Sequence, residues 1–138
     1  MADPAAAQRI HIAERLRTDP ILWLGTVRPD GRPHIVPVWF TWDGTSVLIF
    51  SQPNTQKIRN LRANPNVFLA IDDTKTGDDV ALIEGTAELL AEPTSVTDQP
   101  AFFAKYATPI AQFGWTLAGM AADYSQPIRV TPTRFLGW

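Results

Sequence analysis

A short segment in the first half of the chain carries residue types that bind anions. Ser51 and Gln52 end a β-rich run, and Thr55 and Lys57 follow where the hydrophobic period becomes helical. Free backbone N–H groups and the positive end of the helix dipole favour a phosphate at such a position, and an ammonium group adds a point charge. The segment therefore predicts an anion site. An ordinary capped helix with a solvated Lys57 is the competing interpretation.

Aromatic residues supply the second signal, since the chain has 5 Trp, 7 Phe and 2 Tyr. Trp39 lies on the strand before the anion candidate, where it either borders a planar ring system or packs in the core. Pro37 has no N–H to donate to a ladder, so pairing there must be open, bulged or at an edge. An open edge exposes main-chain groups to a ligand. A plain edge proline with no ligand near it is the alternative.

Several classes of chemistry lack their residues in this sequence. The chain has no cysteine and only two histidines, His11 and His34, which excludes disulfides, Cys-ligated metals and Cys nucleophiles. The acids of the 72–79 loop match no calcium-loop spacing. No Ser-His-Asp order, paired carboxylate motif, Walker motif or G-x-G-x-x-G motif is identifiable. We assign no metal ligand, and the catalytic residues stay unknown, so a cofactor is expected to supply the chemistry.

Length and composition limit the remaining possibilities. A chain of 138 residues fits one domain, and 45% hydrophobic with 19% charged residues predicts a packed core. The formal net charge of −2 is too close to zero for a surface that binds duplex nucleic acid or coats a membrane. The sequence shows neither a leader pattern nor a long apolar run, so we expect a cytoplasmic protein.

The hydrophobic periods predict the elements that position these residues. Asp3, Asp98 and Thr116 are the expected N-caps. Pro109 is expected to interrupt the helical region, and Pro132 to confine the last strand to an edge or a terminus. The order of helices and strands along the chain favours a small antiparallel barrel with peripheral helices over a doubly wound sheet. The predicted elements are a helix at 4–17, strands at 21–28, 33–42 and 45–51 in a three-stranded meander, a helix at 55–64, strands at 67–72 and 80–90, two helices between 92 and 126, and a strand at 127–135.

The 33–42 strand is apolar on both faces. Ile35 and Pro37 point to one side, while Val36 and Val38 point to the other. One face can line the core. The opposite face then needs a cover, which a second subunit, a flat ligand or both would provide.

Four stretches together resemble the pyridoxamine 5′-phosphate oxidase-like split-barrel family. More narrowly, they resemble its branch of flavin and deazaflavin oxidoreductases, and the ending over 123–138 is similar to a subgroup that uses coenzyme F-420. The resemblance covers nearly the whole chain from Ile21 onward. The four stretches are 24–34 (LGTVRPDGRPH), 37–40 (PVWF), 57–65 (KIRNLRANP) and 84–87 (EGTA).

The resemblance implies a mainly β (α+β) fold, a six-stranded antiparallel split β-barrel with peripheral helices, of the FMN-binding split-barrel type. It implies a single domain over 1–138, with the barrel at about 21–135. It also implies a homodimer that holds two cofactors in grooves between its subunits. The implied cofactor-binding residues are Lys57, Thr55, Ile58, Ser51 and Gln52 around the phosphate, and Pro37, Val38 and Trp39 against the ring.

The function that the resemblance implies is an oxidoreductase. It would use the deazaflavin coenzyme F-420 for hydride transfer to a small unsaturated or conjugated substrate. An FMN-dependent oxidoreductase is the first alternative, because the two cofactors share a tricyclic ring and a phosphate. A non-catalytic protein that carries a flavin or deazaflavin is the second.

Overall fold

The computed structural model describes residues 4–72, 74–91 and 95–138. Four α-helices, one 3₁₀ turn (Val96–Asp98) and seven strands lie within these ranges. The helices are α1 (Pro4–Thr18), α2 (Gln56–Ala63), α3 (Pro100–Gln112) and α4 (Leu117–Asp123). The strands are β1 (Leu22–Val27), β2 (Pro33–Val38), β3 (Thr41–Trp42), β4 (Val47–Ser51), β5 (Asn66–Ile71), β6 (Ala81–Leu89) and β7 (Gln126–Gly137). No helix in the described ranges has the length and apolar character needed to cross a bilayer.

All seven strands form one antiparallel sheet in the order β2-β1-β5-β6-β7-β4-β3. Period-two alternation turns one side chain in two toward the core, so Leu22 and Leu24 are fully buried while Trp23 is exposed. The concave side of the curled sheet packs against α1 and α2, which contribute Leu16 and Ile58 to the same apolar cluster. Burial of these side chains is the main stabilising contribution.

The predicted three-stranded meander is wrong in its pairing. The 33–42 run breaks at Trp39 and Phe40 into β2 and β3, which gives seven strands where six were expected. β2 pairs with β1 at one edge of the sheet, whereas β3 and β4 form a hairpin at the other edge. The break lets the chain change from one side of the barrel to the other.

The expectations for α3 are corrected at two residues. Asp98 ends the 3₁₀ turn, and α3 begins instead at Pro100, whose missing N–H costs nothing in the first turn. The helix also continues through Pro109, because the loss of one hydrogen bond is outweighed by its buried face. By contrast, Thr116 caps α4 as predicted, since its Oγ1 accepts the Gly119 N–H at 3.0 Å. The predicted cap Asp3 lies outside the described residues.

The last strand is not an edge strand, because β7 lies between β6 and β4. Pro132 is accommodated because β4 pairs only with residues 126–130, so no neighbour on that side needs its N–H. The ladder to β6 shifts by one residue at the same point, opposite Gly85. A Cβ on Gly85 would come within 2.9 Å of the Thr131 carbonyl oxygen, so the close approach requires glycine.

Helix α2 is fixed to the barrel by a buried polar contact as well as by apolar packing. Asn60 is fully buried, and its Nδ2 donates to Thr26 Oγ1 on β1 at 2.9 Å. Its Oδ1 accepts from Gln56 Nε2 at 2.7 Å. Because Lys57 lies one turn before Asn60, this contact determines where the anion-site candidate sits relative to the sheet.

We predict that Asn60→Ala lowers the free energy of unfolding by about 1–3 kcal/mol, because the buried Thr26 hydroxyl loses its partner. Urea unfolding monitored by far-UV circular dichroism measures the change. The matched control is Asn66→Ala at an exposed position, which should change the free energy by less than about 0.5 kcal/mol. Equal effects at the two positions would contradict the anchoring role of Asn60.

Candidate functional site

A cavity of about 480 Å³ opens between the end of β2, the start of α2 and helices α3 and α4. Its volume lies in the range of sites that take small molecules and cofactors. Its walls are mainly apolar and aromatic, and Lys57 is the lining residue that carries a full charge at neutral pH. The cavity is lined by Ile21, Pro37, Val38, Trp39, Phe50, Gln52, Thr55, Lys57, Phe102, Phe113, Trp115, Met120 and Tyr124.

The wall at Trp39 is held by a side chain of α3. The Phe40 N–H donates to the hydroxyl oxygen of the fully buried Tyr106 at 2.9 Å. That hydroxyl donates to the Pro20 carbonyl oxygen at 2.6 Å, with the Phe40 carbonyl oxygen at 3.0 Å. The Tyr106 ring also stacks on the Trp39 ring, with centroids 4.5 Å apart and planes within 5°. Tyr106 therefore supplies the hydrogen bonds that the broken strand lacks and fixes the Trp39 ring in the wall.

Lys105 adds to the contacts that Tyr106 makes with the Phe40 backbone. We call the contacts of these two side chains with Phe40 the clamp. Its ammonium group donates to the Phe40 carbonyl oxygen at 3.1 Å and lies 3.6 Å from the centroid of the Phe40 ring. Burial lowers the pKa of Lys105 to about 8, although the nearby negative charge of Asp19 acts to raise it. Burial raises the pKa of Tyr106, so its hydroxyl keeps its proton at physiological pH.

The first turn of α2 forms the polar end of the cavity. Thr55 is the N-cap residue, but its side chain makes no capping hydrogen bond. The half-buried Lys57 follows two residues later and forms no ion pair with any residue that the structure describes. Burial lowers the pKa of Lys57 because its charged form is partly desolvated. An uncapped helix start and a cation without a counter-ion together favour an anion.

His34 lies on the inward side of β2, near this end of the cavity. Its Nδ1 is buried and has no hydrogen-bond partner among the described residues. Burial, followed by the positive charges of Arg28 and Lys57, lowers the pKa of His34. The imidazole is therefore neutral at pH 7, and the local charge comes from the two basic side chains.

The structure brings most of the predicted site residues together. The ring-side candidates Pro37, Val38 and Trp39 line the same cavity as Gln52, Thr55 and Lys57. The other two predicted site residues, Ser51 and Ile58, do not line the cavity. Ser51 is buried and donates from its hydroxyl to the Gln52 carbonyl oxygen at 2.8 Å, and the Ile58 side chain is buried in the core cluster.

Sequence reasoning missed the contribution of α3, α4 and the turn between them. Phe102, Phe113 and Trp115 line the cavity, as do Met120 and Tyr124. These residues lie 45 to 67 positions after Lys57, so no local spacing connects them with the anion segment. The signal available in the sequence was the pair of aromatic residues on either side of Gly114.

The comparisons with known proteins agree with this architecture. Residues 9–138 match the family model described as pyridoxamine 5′-phosphate oxidase. The chain belongs to the pyridoxamine 5′-phosphate oxidase family. No curated protein matches the sequence.

Solved structures of this family's fold are similar over nearly the whole chain. An F420 reductase has 29% identity and a TM-score of 0.67, covering 89% of this chain and 94% of that chain. A FAD-binding protein from Mesorhizobium loti has 20% identity, a TM-score of 0.69 and coverages of 93% and 91%. HutZ, a heme storage protein from Vibrio cholerae, has 16% identity, a TM-score of 0.65 and coverages of 95% and 92%. The last two show the fold alone, and the split-barrel prediction is confirmed.

We predict that Tyr106→Phe lowers the free energy of unfolding by about 1–3 kcal/mol, because the Phe40 N–H and the Pro20 carbonyl lose their partner. Near-UV circular dichroism should change as well, because the ring at position 106 is no longer held against Trp39 by the hydrogen bonds of its hydroxyl group. Tyr124→Phe is the matched control, because the structure gives that hydroxyl no partner in the described ranges. A Tyr106→Phe protein with wild-type stability and spectrum would contradict the clamp.

Proposed function

We propose that this protein is an oxidoreductase that uses the deazaflavin coenzyme F-420 to transfer hydride to a small unsaturated or conjugated substrate. The observation that carries the proposal is Lys57, a half-buried cation without a described counter-ion at one end of an aromatic cavity. A phosphate-bearing planar cofactor matches both the charge and the aromatic walls. The similarity to an F420 reductase supports the deazaflavin over other planar cofactors.

The residues present fit such a cofactor at both of its ends. Lys57 and the uncapped first turn of α2 offer an ammonium group and backbone N–H donors for a phosphate. Pro37, Val38 and Trp39 provide an apolar wall on which a tricyclic ring can lie.

In this proposal the residues of the chain bind the coenzyme and orient its ring. When bound, the deazaflavin would supply the hydride. Lys57 neutralises the phosphate, and Trp39, held by Tyr106, fixes the plane of the ring. The apolar walls exclude water from the reacting face. No side chain is assigned as an acid or a base.

An FMN-dependent oxidoreductase and a non-catalytic carrier are the alternatives. FMN presents a similar ring and phosphate to the same residues, so a direct comparison of the two coenzymes is needed. Heme is the ligand that the cavity favours least, because no histidine lines the cavity within the described parts of the chain. A carrier would bind the reduced coenzyme without oxidising it when candidate acceptors are added.

We also propose that a second copy of the chain covers the outer face of the sheet. Trp23, Ile35 and Phe68 are 42%, 58% and 39% exposed on this face. The strand register makes them neighbours, because Ile35 and Phe68 both lie opposite Gly25 on either side of β1. A contiguous apolar patch of this kind is unfavourable in water unless another surface covers it. Because Pro37 lies on the same edge strand, the covered face would border the cavity.

We predict a dimer in sedimentation velocity at micromolar concentration. Ile35→Lys should shift the population toward monomer by at least tenfold in dissociation constant, because a charge is buried in an apolar contact. Ile10→Lys on α1 is the matched control, since Ile10 is 70% exposed and lies away from this face. A wild-type monomer, or an Ile35→Lys dimer as tight as wild type, would refute this assembly.

The central experiment titrates the purified protein in parallel with coenzyme F-420 and FMN, following quenching of tryptophan fluorescence. We predict tighter binding of F-420. Lys57→Ala should weaken this binding by roughly 1.5–3 kcal/mol, because a charge-assisted hydrogen bond to phosphate is lost. In the wild type, affinity should fall as the pH rises toward the lowered pKa of Lys57, and the variant should lose that dependence.

Arg62→Ala is the control for the Lys57 variant, because it removes the same charge from an exposed position on the same helix. It should leave the affinity within about twofold, since exposed charges are screened by solvent. Equal losses in the two variants would indicate a general charge effect and contradict the role of Lys57. Preferential binding of FMN would select the first alternative.

A further inference from the structure

Five aromatic side chains at the cavity form a continuous series of ring contacts. Trp39 lies at the centre, stacked on Tyr106 with ring centroids 4.5 Å apart and tilted against Trp115 at 5.8 Å. Phe102 contacts Tyr106 at 4.9 Å, and Phe113 stacks on Trp115 at 4.8 Å. Rings at such distances are in direct contact. Because an indole gives up an electron far more readily than a phenyl ring, a single electron can move between Trp39 and Trp115.

Tyr106 is an unfavourable place for the positive charge that the loss of an electron creates. An oxidised phenol must release its proton to a base, but the Tyr106 hydroxyl donates to the Pro20 carbonyl oxygen at 2.6 Å, which is not a base. The Lys105 ammonium group also lies 5.5 Å from the centroid of the Tyr106 ring, and a neighbouring cation disfavours a second positive charge. The charge is therefore less stable on the Tyr106 side of Trp39.

Trp115 offers the opposite environment. It is 44% exposed, and its indole N–H has no hydrogen-bond partner in the described ranges, so the oxidised ring can release that proton to water. Asp123 lines a small cavity of about 240 Å³ together with Trp115, and a carboxylate stabilises a nearby positive charge. The backbone is fixed here, because the Trp115 N–H donates to the Ile110 carbonyl oxygen at 3.0 Å. Electrostatics thus directs positive charge from Trp39 to Trp115.

We infer that Trp39 and Trp115 form a one-electron path between an oxidant in the cavity and the surrounding water. The oxidant is a light-excited tricyclic ring of the isoalloxazine class. One electron passes from Trp39 to the oxidant, Trp115 then reduces Trp39, and the Trp115 indole releases its N–H proton to water. Ascorbate in solution restores Trp115 by returning one electron and one proton. The path goes beyond the proposed function, because it needs neither a particular coenzyme nor hydride transfer.

A photo-oxidant attached at the cavity tests the path. The chain has no cysteine, so Gln52→Cys provides a single thiol at an exposed position that lines the cavity. A maleimide-linked isoalloxazine on this thiol is excited by a light pulse, whatever affinity the chain has for a coenzyme. Transient absorption of the labelled full chain then follows the tryptophan radical. We expect a long-lived radical that ascorbate removes, and its absence would overturn the inference.

Two variants at position 115, made in the labelled Gln52→Cys chain, separate electron transfer from packing. Trp115→Phe should lower the yield of long-lived radical about tenfold, because the charge stays on Trp39 and recombines with the oxidant. Trp115→Tyr supplies an oxidisable ring that can release a proton to water, so a long-lived radical should return with the spectrum of a tyrosyl radical. Because Phe and Tyr differ by one hydroxyl group, a packing defect would affect both variants alike. Equal yields in the two variants would overturn the inference.

Trp138→Phe is the control for the removal of an exposed indole. Trp138 is 66% exposed and donates from its indole N–H to the Gly77 carbonyl oxygen, outside the cavity. This variant should leave the radical yield within about twofold, since its site is independent of the path. A loss as large as that in Trp115→Phe would overturn the inference. If neither F-420 nor FMN binds the unlabelled chain, the proposed function fails while the result with the attached oxidant still decides the path.

Discussion

Lys57 carries a positive charge into a cavity whose other lining residues, in the part of the chain that the structure describes, carry none at neutral pH. Partial desolvation disfavours this ammonium group, as its lowered pKa shows, and no described carboxylate compensates it. An anionic ligand group would relieve that conflict. The position of the charge depends on α2, whose Asn60 is bonded to β1 and whose apolar face is buried in the barrel. The barrel thus holds the Lys57 ammonium group in a partly desolvated position, where its charge is unfavourable unless an anionic ligand binds.

The broken strand is the second constraint, and it places Trp39 in the aromatic wall of the cavity. A continuous strand from Pro33 to Trp42 would place Trp39 in a ladder, whereas the break turns it into the wall. Tyr106 and Lys105 satisfy the Phe40 backbone that the break leaves without ladder partners. Burial of Tyr106 against Trp39 then makes the wall rigid. A rigid aromatic wall beside an uncompensated charge favours an elongated ligand with one flat end and one anionic end.

Local patterns in the sequence predicted the elements whose signals are contained within a few residues. The period-two alternation of β6, the helical period of α2 and the Thr116 cap are of this kind, and the structure has all three. The clustering of Pro37, Trp39 and Lys57 around one cavity was expected from the family resemblance, since spacing along the chain does not reveal it.

The features that sequence reasoning missed depend on long-range contacts. Pro109 is tolerated because Phe102, Tyr106 and Ile110 bury one face of α3. Pro132 is tolerated because β4 ends before reaching it. The strand pairing was misassigned because hairpin signals between β2 and β4 do not show that the chain crosses the barrel between them. Which side chains complete the cavity is decided by how α3 and α4 pack, and no local motif encodes that packing.

The most direct measurement is a crystal structure of the protein with its coenzyme bound. We predict the coenzyme phosphate at roughly 2.7–2.9 Å from Lys57 Nζ, the distance of a charge-assisted hydrogen bond, with the ring against Trp39. A coenzyme phosphate bound elsewhere, with Lys57 still unpaired in the cavity wall, would contradict the role of Lys57 as the phosphate-binding residue.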